Sequence, residues 1–169
     1  MILHLIRHPR PLIAPGICYG ALDVPAEDAA AVAAVLLAEL PPGLPLWSSP
    51  LQRCRGLAAA LHGQPLFDER LQEMNFGAWE GLPWDEIPRA EIDAWAADVA
   101  GYAPPGGESP WQLQQRVLAF ITTLPVAEAV LVTHAGVIRV LQAAQSGSSL
   151  EAALACRPTY GSRLVLHWP

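Results

Sequence analysis

The sequence predicts an α/β protein: a three-layer α/β/α sandwich with a mostly parallel central sheet and helices on both faces. Three observations lead there. Short apolar runs alternate with segments of helical periodicity along the 169 residues. Residues 2–6 are apolar except for His4, and residues 130–133 are apolar up to Thr133, as in strands covered on both faces. Ser49-Pro50 and Ser109-Pro110 each pair a helix-capping serine with a proline suited to the first helical position.

The first strand is residues 2–6. A helix over 26–40 follows Pro25, has Glu27 and Asp28 in its first turn, where acids meet the positive end of the dipole, and stops at Pro41-Pro42. A short strand at 45–48 leads into a helix that starts at Ser49-Pro50 and runs to 61. Residues 64–107 are irregular and rich in Gly, Pro and Trp, with one helix at 89–97. Ser109-Pro110 launches a helix to 123, and a strand at 130–133 precedes a helix at 136–144. Residues 163–168 close the chain as a strand. No repeat or linker divides the chain, so a single domain over residues 1–169 is expected.

Hydrophobic residues make up 52% and charged residues 15%, enough apolar material for one sizeable core. The longest apolar run, 29–38, is too short to span a membrane, and no basic segment precedes an apolar stretch at the start. The cytoplasm is the expected address. A net charge of −6 speaks against nucleic acid as a partner. All ten basic residues are arginine, which as a set fits a GC-rich genome. Cys18, Cys54 and Cys156 form no even set and no C-x-x-C pair, so reduced thiols are expected. The five histidines show no tight metal-ligand spacing.

In parallel sheets ligands gather beyond the carboxyl ends of the strands, and three strand ends here carry chemistry. Arg7-His8 follows the first strand. An imidazole there can act as nucleophile or base, or can simply be hydrogen-bonded. No carboxylate stands near Arg7 in sequence, which leaves a bound phosphate as one partner for it. His134 ends a later strand and precedes a helix whose free N–H groups favour an anion; capping that helix is the other use for it. Arg53 lies in the first turn after the third strand end, where it can swing to the sheet edge or stay solvated. Arg55 should point elsewhere. Cys54 reads as a small buried side chain. Glu73 stands among apolar and aromatic residues that favour a protonated carboxyl, but Glu69, Glu80 and Glu86 compete for the same role. Trp79, Trp84, Trp95 and Trp111 either pack under loops or line a pocket for a flat apolar group. Gly106-Gly107-Glu108-Ser109 is a turn and cap that can equally present groups to a ligand.

Together Leu5-Ile6-Arg7-His8, Ser49-Pro50-Leu51-Gln52-Arg53, Glu73 with Phe76-Gly77-Ala78-Trp79-Glu80-Gly81, Gly106-Gly107-Glu108-Ser109 and Thr133-His134-Ala135-Gly136 resemble, in order, the histidine phosphatase superfamily and its phosphoglycerate-mutase-like fold. Gly16-Ile17-Cys18-Tyr19-Gly20 with Asp23, and Trp84-Asp85-Glu86-Ile87-Pro88 running on to Pro104-Pro105-Gly106, resemble its α-ribazole phosphatase branch. The resemblance implies that His8 attacks phosphorus, that Arg7, Arg53 and His134 bind the phosphoryl oxygens, and that Glu73 protonates the leaving group and then assists water. Tyr19, Gly20, Glu108 and Ser109 would complete the substrate-binding set. Pro9 and Pro11 stand where most of the superfamily has Gly and Ser or Thr, and Pro9 removes a backbone donor.

The resemblance implies a phosphomonoesterase without metal or cofactor, acting on α-ribazole 5′-phosphate in cobalamin nucleotide-loop assembly. Its partners would be a small phosphorylated metabolite and, at most, a second copy of the chain. A broad-specificity phosphatase of the same fold, a phosphoglycerate mutase and a non-catalytic phosphate-binding member are the alternatives. A metallophosphatase, which a chelator would inhibit, is the contrasting class.

Overall fold

The computed structural model describes residues 1–169. Strand β1 (Ile2–Arg7) lies inside a five-stranded sheet with helices on both sides. The remaining elements are α1 (Ala30–Glu39), β2 (Leu46–Ser48), α2 (Gln52–Leu61), β3 (Leu66–Phe67), α3 (Arg89–Ala97), α4 (Pro110–Ile121), β4 (Glu128–Thr133), α5 (Ala135–Ser146), α6 (Leu150–Leu154) and β5 (Arg163–His167). The sheet order is β3-β2-β4-β1-β5. The first four strands run parallel, and β5 pairs antiparallel with β1 at one edge. The α/β sandwich read from the sequence is therefore the observed fold.

Alternation along the strands divides the core. Leu3, Leu5 and Leu131 face α4 and α5, where Leu113, Val117, Phe120, Ile138 and Leu141 cover them. Ile6, Val130 and Val132 face the opposite layer of Leu36 from α1 and Cys54, Leu57 and Ala58 from α2. Truncating one of these large side chains to Ala would cost about 2–5 kcal/mol. His4 is tolerated inside β1 because both ring nitrogens are satisfied: one meets Glu128 at 2.8 Å and the other accepts from Arg163 at 3.0 Å. A third cluster of Cys18, Trp79 and Ile87, flanked by Trp84, Trp95 and Tyr102, gives the irregular middle of the chain its own packing.

Two helices begin later than their sequence signals. Helix α1 starts at Ala30 because the residues before it have other bonds: Leu12 N–H donates to Pro25 O, and Glu27 N–H to Arg10 O. Glu27 and Asp28 therefore precede the helix, and Asp28 accepts from Ala30 N–H at 3.0 Å. Helix α2 has Leu51, not Ser49, at its N-cap, since the Ser49 hydroxyl also faces His134. Ser109 does cap α4, in a reciprocal capping box with Gln112 and Pro110 in the first turn. The sequence reading lacked β3, whose two residues are exposed and carry no burial pattern, and α6, which Ser149 caps. No helix is long and apolar enough to cross a membrane.

Candidate active site

The site forms at the carboxyl edge of β1 and β4. Arg7 pairs with Thr133 across these parallel strands, so His8 and His134 leave the sheet side by side, with ring centroids 5.1 Å apart. The His8 side chain is held by the backbone of the next residue. Pro9 O can only accept, so His8 Nδ1–H donates to it at 2.6 Å, which leaves the Nε2 lone pair without a partner in the chain. Burial, aided by the nearby Arg53 and Arg7 charges, lowers the imidazole to about 3 and keeps it neutral, the form a nucleophile needs.

His134 is fully buried, and burial followed by the Arg53 charge holds it well below the usual histidine range. Arg53 Nε–H donates to its Nδ1 at 3.3 Å, so the proton sits on Nε2 and points to Ser49 Oγ at 2.8 Å. A cap for α5 would need a side-chain bond to that helix, and His134 makes none. Arg53 is also buried, contrary to the solvated alternative. Its two terminal nitrogens donate to Leu22 O, at 2.8 Å, and to Gly20 O. Arg53 and His134 thus stand behind His8, while Arg55 is exposed.

Of Arg7 and Arg53, it is Arg7 that opens onto the cavity. Its Nη1 donates to Pro158 O at 2.5 Å, its Nε is buried without a partner, and no carboxylate pairs with it. The guanidinium lies 3.7 Å over the Tyr160 ring. Tyr160 OH meets Tyr19 OH at 3.1 Å, and burial together with that bond raises the Tyr19 phenol. Tyr160 went unseen in the sequence. It arrives because β5 is antiparallel: its N-terminal end lies at the carboxyl edge of β1, where Gly161 N–H donates to Arg7 O.

Of the four competing glutamates, Glu73 alone lines the main cavity. Its oxygens accept from Met74 N–H at 3.0 Å and from Gly136 N–H, in the first turn of α5, at 3.1 Å. A Cβ at Gly136 would stand 2.2 Å from the Glu73 carboxylate, so glycine is required for this approach. Glu69 and Glu86 are exposed. Glu80 accepts from the N–H groups of Gly20, Ala21, Leu22 and Phe76 at 2.7–3.1 Å. Its bonds and those of Arg53 clamp the 20–22 loop from both sides, which is the role of Gly20 here. Glu108 pairs with Arg116 and Ser109 caps α4, so neither lines the main cavity.

That cavity has a volume of about 670 Å³. Arg7, His8 and Glu73 share it with an apolar wall that includes Phe76, Trp84 and Trp95. The Trp84 and Trp95 rings stack at 5.8 Å and 13°. Trp79 is core, and Trp111 is exposed on the surface. Two more arginines on the wall, Arg139 and Arg157, had no sequence signal; Arg139 donates through Nε alone, to Cys156 O. No three His, Cys, Asp or Glu side chains gather as a metal site would require.

The histidine phosphatase superfamily (branch 1) matches residues 3–169. The chain belongs to this superfamily. Protein TTHB049 of Thermus thermophilus is 35% identical, aligned over 100% of this chain and 94% of that one with a TM-score of 0.81. A phosphoglycerate mutase from the same organism gives the same figures. The mycobacterial glucosyl-3-phosphoglycerate phosphatase is 28% identical over 99% of this chain and 91% of that one, also with a TM-score of 0.81. No curated protein matches the sequence. Of the five residues expected at the phosphoryl group, Arg7, His8 and Glu73 line the cavity, whereas His134, beside His8, and Arg53, bonded to His134, are buried and do not line it, because their nitrogens are engaged within the chain.

Proposed function

We propose that the protein is a phosphomonoesterase that works through a phosphohistidine at His8 and hydrolyses α-ribazole 5′-phosphate. The observation that carries the mechanism is the Pro9 carbonyl on His8 Nδ1, which leaves Nε2 as the free lone pair of a ring that lines the cavity. In the first half-reaction Nε2 attacks phosphorus and the ester P–O bond breaks. Protonated Glu73 gives its proton to the departing alkoxide. The resulting phosphoimidazolium keeps its Nδ1–H on Pro9 O, which steadies the new positive charge. In the second half-reaction water attacks phosphorus, Glu73 takes the proton, and the P–N bond breaks to release phosphate and neutral His8. Arg7 and Arg53 supply positive charge for the phosphoryl oxygens without a metal. The stacked Trp84 and Trp95 offer a flat apolar wall for the base of a nucleotide-like substrate. We assign the protein to the cytoplasm on its three unpaired cysteines.

A second substrate reading has its own observation. The Nη groups of Arg139 make no bond in the chain, and they suit the carboxylate of a phosphorylated hydroxy acid, the kind of compound named in two of the similar structures. The test is initial phosphate release, with chelator present, from α-ribazole 5′-phosphate, sugar phosphates, nucleotides and 3-phosphoglycerate, with His8→Ala as the blank. The expected result is a preference for α-ribazole phosphate that vanishes in the blank. Release that survives in His8→Ala would remove His8 as the nucleophile. Preference for 3-phosphoglycerate would select the second reading.

A further inference from the structure

Glu73 follows the 3₁₀ turn Glu69–Leu71 and belongs to neither a helix nor a strand. Ladder hydrogen bonds therefore do not place its backbone. Arg116, on α4, supplies the bonds instead. Its Nη1 donates to Arg70 O at 2.8 Å and Gln72 O at 2.9 Å, and its Nη2 donates to Glu73 O at 3.1 Å. The remaining donors go to Glu108: Nη2 to Oε1, and Nε to Oε2 at 3.1 Å. All five N–H groups of the guanidinium are thus engaged. Glu108 is itself oriented, because Asn75 N–H donates to its carboxylate at 3.0 Å and Glu108 N–H donates to Asn75 O at 2.8 Å. The residues on both sides of Glu73 are tied to one guanidinium–carboxylate pair. The same groups line a second, polar cavity of about 390 Å³ that shares Glu73 with the first.

We propose that Arg116, braced by Glu108, is a positioning residue for Glu73. It holds the 70–73 backbone so that the Glu73 carboxylate meets Gly136 N–H and faces the leaving group. The catalytic half of this inference rests on the reading of Glu73 as the acid and base. A planar fork with donors on three sides is essential to the arrangement, and a lysine ammonium cannot reproduce it. Glu108, rather than binding substrate, fixes the orientation of that fork.

The experiment compares Arg116→Ala, Arg116→Lys, Glu108→Gln and Glu73→Gln on an alkyl phosphate and on 4-nitrophenyl phosphate, whose leaving group needs little protonation. For Arg116→Ala, kcat on the alkyl phosphate should fall about 10–100-fold, below the roughly 10²–10⁴-fold for losing general acid catalysis outright because the acid is displaced and not removed, with a several-fold smaller loss on the aryl ester. Arg116→Lys should recover little. Adding Glu73→Gln to Arg116→Ala should lower alkyl turnover no further than Glu73→Gln alone, as for residues acting through one step. In NMR spectra the Gly136 amide should shift in Arg116→Ala in the same direction as in Glu73→Ala. Equal losses on both esters, additive losses in the double variant, or an unmoved Gly136 amide would overturn the proposal. Glu108→Gln keeps the side-chain shape, so it supplies the answer if Arg116→Ala does not fold. If Glu73→Gln shows no dependence on leaving group, Glu73 is not the acid and the catalytic half falls. The Gly136 amide then decides independently whether Arg116 places the carboxylate.

Discussion

His8 carries a proton in an unfolded chain below an ordinary value of 6.5, but in the folded protein only below about 3. Between these two values the unfolded state binds more protons than the native state. Stability is therefore full above about pH 6.5 and falls as the pH drops toward 3. His134, lowered for the same reason, adds a loss of the same sign. Calorimetric melting across this range should show a midpoint that drops with acidity, and His8→Gln should flatten the slope; an unchanged slope would remove His8 as a contributor. The same imidazole stays available for attack at mildly acidic pH. Glu73→Gln should reduce turnover more on alkyl than on aryl phosphates, a difference that steady-state kinetics reads directly. At this scale the sequence was partly legible. Arg7, His8, Arg53 and His134 stood out because strand ends are recognisable from apolar runs. Glu73 was separated from Glu69, Glu80 and Glu86 only by the family resemblance, because the physical distinction lies in which backbone N–H groups each one reaches. Arg116 and Tyr160 carried no local signal at all.

Elements convert these residues into geometry through a few close approaches. The first turn of α5 meets Glu73 at a glycine with no room for a side chain, so Gly136→Ala should push the carboxylate away and cost about 10²-fold or more in kcat. Far-ultraviolet dichroism should stay unchanged, and full activity in this variant would mean that Glu73 works from another position. Gly20 is equally confined, with a Cβ placed 1.9 Å from Met74 O. Helix α4 was readable to its cap because Ser109, Pro110 and Gln112 act within four consecutive residues. The starts of α1 and α2 were not, because tertiary bonds from Arg10, Pro25 and His134 took over the groups that a local reading assigned to caps. Five-residue α6 and two-residue β3 are too short for periodicity to reveal.

Across the whole molecule, the sheet edge brings Arg7 and His8 to the cavity and the irregular 64–107 stretch supplies its aromatic wall. On the proposed reading, binding of the phosphate and binding of the rest of the substrate fall to different parts of the chain. Trp84→Ala should raise KM for α-ribazole 5′-phosphate about tenfold, within the range for losing one aromatic stack, while KM for a small sugar phosphate changes far less. A uniform rise across substrates would argue against the wall as a base-binding surface. The α/β alternation was visible in the sequence, whereas the antiparallel β5 was not, since a strand's direction depends on partners far along the chain. The pairing of Arg7 with Thr133 also limits how this fold can change length. Deleting or inserting one residue inside β1 or β4 would turn one of the two imidazoles to the opposite face and offset it by about 3.3 Å along the strand, destroying the pair even if the core repacked. Loops at Gly43 and Gly147, remote from both strand ends in sequence and open around each glycine, carry no such constraint. Gains and losses of residues should accumulate there, and a library of single-residue deletions scored for phosphate release would map the two strands as intolerant blocks.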